Sequence, residues 1–283
     1  MFDVKFPSVE FQLASEVYHK IDAMSSSRVK ILDNATPMHL SYSLANPKDS
    51  DDFVVGRATH SYILERYKFT KEFAVQPALD GRTKEGKAGK EKFKLENEGK
   101  SILTEEQFAL VQGMADGIMV NPDAYHFCTT AGESEVSVFG ELHGVKTKAR
   151  FDRLIKFNNG EDCIVDLKTT RGIASRSDFE RSMWQFGYGV QANLYLQMAR
   201  GAGLNPKHFV FVVVEKNAPH AAAVYRVSDR IIEMFDAKVL SLVAKYREFL
   251  LNGSAGFQGI TEIGIPAWAV NQLTNELENS HEV

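Results

Sequence analysis

Two neighbouring stretches constrain this chain more than anything else in it. Val145–Phe157 alternates between polar and apolar residues over the length of a long strand. Asn158-Asn159-Gly160 then turns the chain, and Cys163–Thr169 reads as a second strand. So tight a turn makes the two antiparallel neighbours. Period-two geometry sets Lys146, Lys148, Arg150, Asp152 and Lys156 on one face of the first strand, with Val145, Ala149, Phe151 and Ile155 on the other. In the second strand Ile164, Asp166 and Lys168 share a face, while Val165 and Leu167 point away. Asp152 and Asp166 then lie side by side across the ladder, each inside a hydrophobic strand. Two such carboxylates repel, and burying them unpaired is costly, so something positive must sit between them.

Two sources of that charge stand open. Lys168 alone would make a structural Asp–Lys–Asp network. A hard divalent cation held by oxygen ligands is the functional alternative. Beside it Lys168 would orient or help deprotonate an attacking water, or steady the charge of the transition state. The basic row leading into Asp152 favours the second source. A phosphate backbone along Lys146, Lys148 and Arg150 would deliver a phosphodiester to the two carboxylates, where metal ions activate water and stabilise the leaving oxygen.

The net charge of −4 argues on its face against a polyanionic partner, but the charge is unevenly placed. Glu262, Glu276, Glu278 and Glu282 lie in a tail without Lys or Arg, which leaves the rest neutral overall. Leu142–Phe157 carries five cations against Asp152 alone, and Gly81–Lys100 carries seven against four acids. Taken alone, 81–100 reads as a solvated face with i,i+4 pairs.

Around the two strands the periodicity predicts an α/β fold. Ser25–Ser27 caps a helix over 28–34, Pro37 opens another, and 54–67 reads as a third. Residues 76–100 read as a mobile segment or an exposed helix. Thr104 and Gln107 form a capping box for a helix that Asn121-Pro122 ends. Ser134–Gly140 is a first strand beside the other two. A helix ends near Arg200 with Gly201 as its cap, His208–Lys216 is an interior strand, and Ala221–Val227 pairs with it. Ser228 then caps one long helix with Ile231, Phe235, Val239, Leu242 and Tyr246 on its apolar face. The order is helix, three-strand meander, helix, strand: a mixed sheet flanked by helices, with helical additions at both ends. We read 1–283 as one domain, with a helical part over about 1–125, a sheet core over about 126–227, and a C-terminal helix and acidic tail over 228–283.

Composition narrows the classes. At 44% apolar and 25% charged the chain is not a disordered one. Its most apolar run, Phe209–Val214, is far short of a membrane helix, and Met1 is followed by no secretion signal, so a cytoplasmic protein is expected. Cys128 and Cys163 are its only cysteines, which excludes a disulfide framework, a four-Cys zinc site and an iron–sulfur cluster.

The residues also carry a resemblance. Arg150-Phe151-Asp152, followed by Ile164-Val165-Asp166-Leu167-Lys168-Thr169-Thr170, resembles the PD-(D/E)xK nuclease motif, and the element order resembles that superfamily's αβββαβ core. Phe151 stands where the motif's name has Pro, a position that touches no metal. From about Ser25 to the end of the long helix the chain is similar to exonuclease VIII (RecE-type) nuclease domains of phages and prophages. The shared features are Gly56-Arg57-Ala58-Thr59-His60 with Leu64-Glu65, Arg82-Thr83-Lys84-Glu85-Gly86-Lys87, Glu135-Val136-Ser137-Val138, and Tyr188-Gly189-Val190-Gln191 with Tyr195.

The resemblance implies roles. Asp152, Asp166, His60 and the carbonyl of Leu167 would hold the metal, with Glu135 bound directly or through water. Lys168 would be the catalytic lysine. Gln191 and Tyr195 would be active-site buttresses or DNA contacts, and Arg82, Lys84 and Lys87 would grip phosphates together with Lys146, Lys148 and Arg150. Trp184, Phe186 and Tyr188 are better placed in a core than on bases. The implied activity is a Mg²⁺-dependent exonuclease, with Mn²⁺ able to substitute, that degrades the 5′-ended strand of linear double-stranded DNA. The 3′ tail left would feed a phage-type annealing protein in homologous recombination, and a homo-oligomeric ring around the DNA is expected, in the cytoplasm of the phage's host. Two rivals stand beside it: a structure-specific or restriction-type endonuclease, and a non-catalytic DNA-end-binding protein.

Overall fold

Phe209–Val214 is apolar at every position because both faces of its strand are covered: Phe209, Phe211 and Val213 pack into one hydrophobic cluster, and Val210, Val212 and Val214 into another. The structure, a computed structural model, describes residues 4–47 and 51–280. The chain runs β1 (Ser8–Glu10), α1 (Ser15–Lys20), α2 (Ser26–Asn34), α3 (Pro37–Ala45), α4 (Asp51–Leu64), α5 (Arg66–Glu72) and β2 (Phe73–Gln76). Next come α6 (Lys84–Glu96), β3 (Ser101–Thr104), α7 (Glu105–Val120), α8 (Pro122–Thr129), β4 (Gly132–Leu142), β5 (Val145–Lys156) and β6 (Asp162–Thr170). The remainder is α9 (Arg176–Gln185), α10 (Tyr188–Gly201), β7 (Pro206–Glu215), β8 (Ala222–Arg226), α11 (Asp229–Met234), α12 (Asp236–Asn252) and α13 (Ala267–Ser280).

The main sheet has the order β1-β4-β5-β6-β7-β8, antiparallel throughout except for the parallel pair β6–β7. Helices α2, α10 and α12 contribute to the cluster on one face, and α4, α7 and α8 to that on the other. This is the expected α/β sandwich around a mixed sheet. A small parallel pair, β2–β3, lies apart from it.

Two irregularities in β5 set the surroundings of Asp152. First, β5 pairs with β6 only from Arg153↔Val165 to Lys156↔Asp162. The first half of β5 is paired on that edge by Met24 instead, whose N–H donates to the Lys146 carbonyl (2.9 Å) and whose carbonyl accepts from the Lys148 N–H (2.7 Å). Second, the alternation slips. Strict period two places Ile155 on the face of Phe151, yet Leu154 packs in the Phe151 cluster and Ile155 in the opposite one. The slip lies opposite Glu135, whose backbone has φ +53° and which interrupts the ladder between Ser134↔Arg153 and Val136↔Phe151.

Several sequence boundaries shift. The expected helix over 54–67 is two, α4 and α5, parted at Glu65, whose buried side chain turns to Lys68 (2.6 Å). The long helix after Ser228 breaks at Phe235. A Cβ built on Gly189 would lie 2.2 Å from that ring, so the break is what lets Phe235 close on α10. Helix α10 runs through Gly201, and the left-handed residue after it is Gly203, φ +85°. Residues 84–96 form an exposed helix, and the tail carries α13; Glu282 lies outside the described residues. Among the described residues no helix is long and apolar enough to cross a membrane.

Candidate active site

Where β5 and β6 part, the register continues from Arg153↔Val165 to Asp152 and Asp166, the first residues beyond the ladder. Asp152 Oδ2 accepts from the Leu167 N–H at 2.7 Å and lies 3.4 Å from His60 Nδ1, brought in by α4. Asp166 is buried on the α10 side. Gln191 Nε2 donates to its Oδ1 at 2.6 Å, and the Lys168 ammonium stands 2.5 Å from its Oδ2. Among the described residues no group other than Lys168 reaches Oδ2. Gln191 Oε1 in turn accepts from Lys168 Nζ at 3.3 Å and from Lys30 Nζ at 3.2 Å.

Ligand atoms of His60, Glu135 and Asp152 lie within 4.8 Å of one another. No such group of three includes Asp166 among the described residues. Two carboxylates and an imidazole suit a hard or borderline divalent cation, and Asp166 Oδ2, held by Lys168, is a further buried oxygen on the neighbouring strand. The donor set therefore fits a divalent metal ion. The touch of Leu167 on Asp152 is through its N–H.

The charges are strongly coupled. Burial raises Glu135 and the Asp152 carboxylate adds to it, against Arg150, leaving Glu135 at about 7. Burial alone would depress His60, but Asp152 outweighs it by charge and hydrogen bond, and His60 stands at about 9. Burial opposes ionisation of Asp152 too, yet His60, Lys168 and the Leu167 N–H hold it below the usual carboxylate range. Asp166 is raised, by burial and by the neighbouring Asp152 charge. Lys168 is raised despite burial because Asp166 and Asp152 face it, so it is an ammonium here.

The basic row divides. Lys148 is 4% exposed, and its ammonium donates to the carbonyls of Tyr18 (2.8 Å), His19 (3.3 Å) and Ile21 (2.6 Å) at the end of α1. Arg150 is held by the Leu13 carbonyl (2.8 Å), Ser137 Oγ (3.0 Å) and Glu135 (3.5 Å). Both charges are engaged within the protein, where strand alternation predicts an open row. The cause is the Met24 segment, which covers the β5 edge and supplies carbonyls that need donors. Lys146 is exposed, over the Phe6 ring.

Tyr195 lies in the hydrophobic cluster on the α10 side of the sheet. It is 7% exposed and packs on Phe151, with ring centroids 5.2 Å apart, one turn below Gln191. Arg82, Lys84 and Lys87 are exposed at the start of α6. Thr83 caps that helix, and Gly86 is required there because a Cβ would stand 1.9 Å from the Asp80 carbonyl oxygen. Trp184 and Phe186, expected in a core, are exposed instead. Lys30 escapes a reading of the sequence: it belongs to no motif, and only the packing of α2 on α10 brings it to Gln191.

Among known proteins, the model of a family described as a PDDEXK-like domain of unknown function (DUF3799) matches residues 25–255. A crystal structure from Eubacterium rectale, described as that of a candidate exonuclease, superposes with a TM-score of 0.59. It is 15% identical, over 92% of this chain and 98% of that one, a likeness of fold. The structure of SSO0001 superposes with a TM-score of 0.32 at 13% identity, over 72% of this chain and 87% of that one. No curated protein matches the chain.

Proposed function

The chain belongs to the PDDEXK-like family that its residues 25–255 match, and from that membership we propose that it is a divalent-metal-dependent deoxyribonuclease acting from the ends of linear double-stranded DNA. One observation carries the reading: Lys168 stands 2.5 Å from Asp166 on a strand that parts from its neighbour at Asp152, itself 3.4 Å from His60. A purely structural Asp–Lys–Asp network has no use for His60 and Glu135 converging on Asp152 from two other elements.

His60, Glu135 and Asp152 would hold the cation, with Asp166 and the Leu167 carbonyl as further oxygens. Bound there, it supplies Lewis-acid charge that lowers the pKa of water and stabilises the leaving oxygen. In the hydrolysis a water oxygen bonds to phosphorus and gives up a proton, the P–O3′ bond breaks, and O3′ takes up a proton. The products are a 5′-phosphate and a 3′-hydroxyl. Lys168, kept charged by its two carboxylate neighbours, steadies the negative charge on the phosphate oxygens. Gln191 fixes both Asp166 and Lys168 through its two amide ends. Tyr195 positions that helix from below.

The finer reading is attack on the 5′-ended strand to leave 3′ tails for an annealing protein, by a homo-oligomeric ring using Mg²⁺ or Mn²⁺. It is supported by the resemblance to exonuclease VIII domains and by the Eubacterium rectale neighbour's description as a candidate exonuclease. Linear duplex labelled at either end and closed circular DNA, each with Mg²⁺ or EDTA, test it. Mg²⁺-dependent loss of the 5′ label from linear DNA alone is expected. Cutting of the circle would give the endonuclease reading, and retention of intact ends without cleavage in Mg²⁺ or Mn²⁺ the binding-protein reading.

A further inference from the structure

Lys168 has a carboxylate partner and Lys30 has none among the described residues. Both ammonium groups approach the same neutral acceptor, Gln191 Oε1, at 3.3 Å and 3.2 Å. Both also stand over one ring, that of Tyr188, at 4.7 Å and 5.1 Å from its centroid. Lys168 is drawn to Asp166, whereas Lys30 makes no ion pair among the described residues. Burial and the nearby Lys168 charge press its pKa down to about 7 against the pull of Asp166, and an anion set against Lys30 would draw it back into the charged form.

The side chain of Lys30 is held in place along its whole length. Its stem lies against Gly187, where an added Cβ would meet Lys30 Cγ at 3.3 Å and Cε at 3.5 Å. Gly187 has φ +63° and forms the N-cap of α10, so two features there demand glycine: a left-handed backbone and a lysine stem in the space of a side chain. A cation brought into a crowded, half-buried position needs an acceptor that the folded chain does not fully supply. A neutral amide oxygen shared with a second ammonium is a weak one, and an anionic oxygen would serve both far better.

We propose that Lys30 is a second lysine of the active site, which with Lys168 grips the non-bridging oxygens of the phosphate being cleaved. The inference rests on the nuclease reading above. In the free protein Gln191 Oε1 is the acceptor both lysines share; with DNA bound, a phosphate oxygen joins it as their stronger acceptor. Because negative charge on those oxygens grows toward the transition state, Lys30 contributes to the rate of cleavage more than to the binding of DNA.

The test compares full-length wild type, Lys30→Met and Lys30→Arg in single-turnover cleavage of linear duplex DNA with Mg²⁺. Methionine keeps the apolar stem and removes the charge; arginine keeps the charge. Lys30→Met should lower the rate at saturating DNA by roughly 10²-fold, with half-saturation and thermal midpoint close to wild type. Lys30→Arg should recover most of the loss. Wild-type rates in Lys30→Met would overturn the inference and leave the nuclease reading standing. A loss confined to half-saturation would overturn it too, by making Lys30 a distant DNA contact. So would an early thermal midpoint shared by both variants, which would make Lys30 a packing residue. An inactive wild type with both Mg²⁺ and Mn²⁺ would instead remove the nuclease reading, and this inference with it.

Discussion

Glu135 faces Asp152 across the β4–β5 ladder at the position where that ladder is interrupted between Ser134 and Val136. The interruption and the backbone of Glu135, at φ +53°, share one outcome: the carboxylate joins His60 and Asp152. A left-handed glutamate costs about 1 kcal/mol relative to glycine at the same place. Glu135→Gly should therefore be more stable than Glu135→Ala by about 1 kcal/mol in urea unfolding, while both lose stabilisation by Mg²⁺. Equal stability of the two would show that the φ value carries no strain.

Lys148, which strand alternation puts on a DNA-facing row, lies buried beneath α1. Removing a buried ammonium that satisfies three carbonyls should cost about 2–3 kcal/mol. Lys148→Met should show this in chemical unfolding, without changing the slope of DNA affinity against salt concentration, which counts phosphate contacts. A shallower slope at unchanged stability would restore Lys148 to the DNA path.

The His60–Asp152 pair makes the metal-free protein sensitive to alkali. His60 is raised to about 9 when folded, against about 6.5 when unfolded. The folded state thus binds the extra proton between those values, and the contribution is fully present below about pH 6.5 and lost as pH rises through about 9. Glu135, raised to about 7, adds a loss in the same direction as pH rises through its own range. With the His60 side chain 27% exposed we expect about 1–2 kcal/mol from the histidine. Unfolding midpoints in EDTA at pH 6 and pH 9.5 measure it, and His60→Gln should flatten the difference. An unchanged slope in that variant would show that the pair does not set the alkaline limit.

How much of this is legible in the sequence depends on whether a signal is local. The meander β4–β6 is readable because its period is two and its turns carry His143-Gly144 and Asn159-Gly160, with positive φ at His143, Gly144 and Gly160. The capping box at Thr104 and Gln107 forms as read. Asp152, Asp166, Lys168, Gln191 and His60 meet because motif residues sit at fixed places on readable elements. The fate of Lys148 and Arg150 is not legible, since it depends on Met24, more than a hundred residues away, covering the strand edge. The phase slip at Asp152 hides likewise, because its cause is the backbone of Glu135 on another strand. The pair β2–β3 joins segments too short to show a period, and Lys30 depends wholly on how α2 lies against α10.

The central claim, that Lys168 and the carboxylates beside it hydrolyse DNA, is tested most directly by one comparison: single-turnover cleavage of linear duplex DNA in Mg²⁺ by wild type and Lys168→Ala. The expected result is a loss of roughly 10²- to 10³-fold in the variant, with its DNA retention in Ca²⁺ unchanged. Cleavage by Lys168→Ala at the wild-type rate would contradict the claim and place the chemistry elsewhere on the protein.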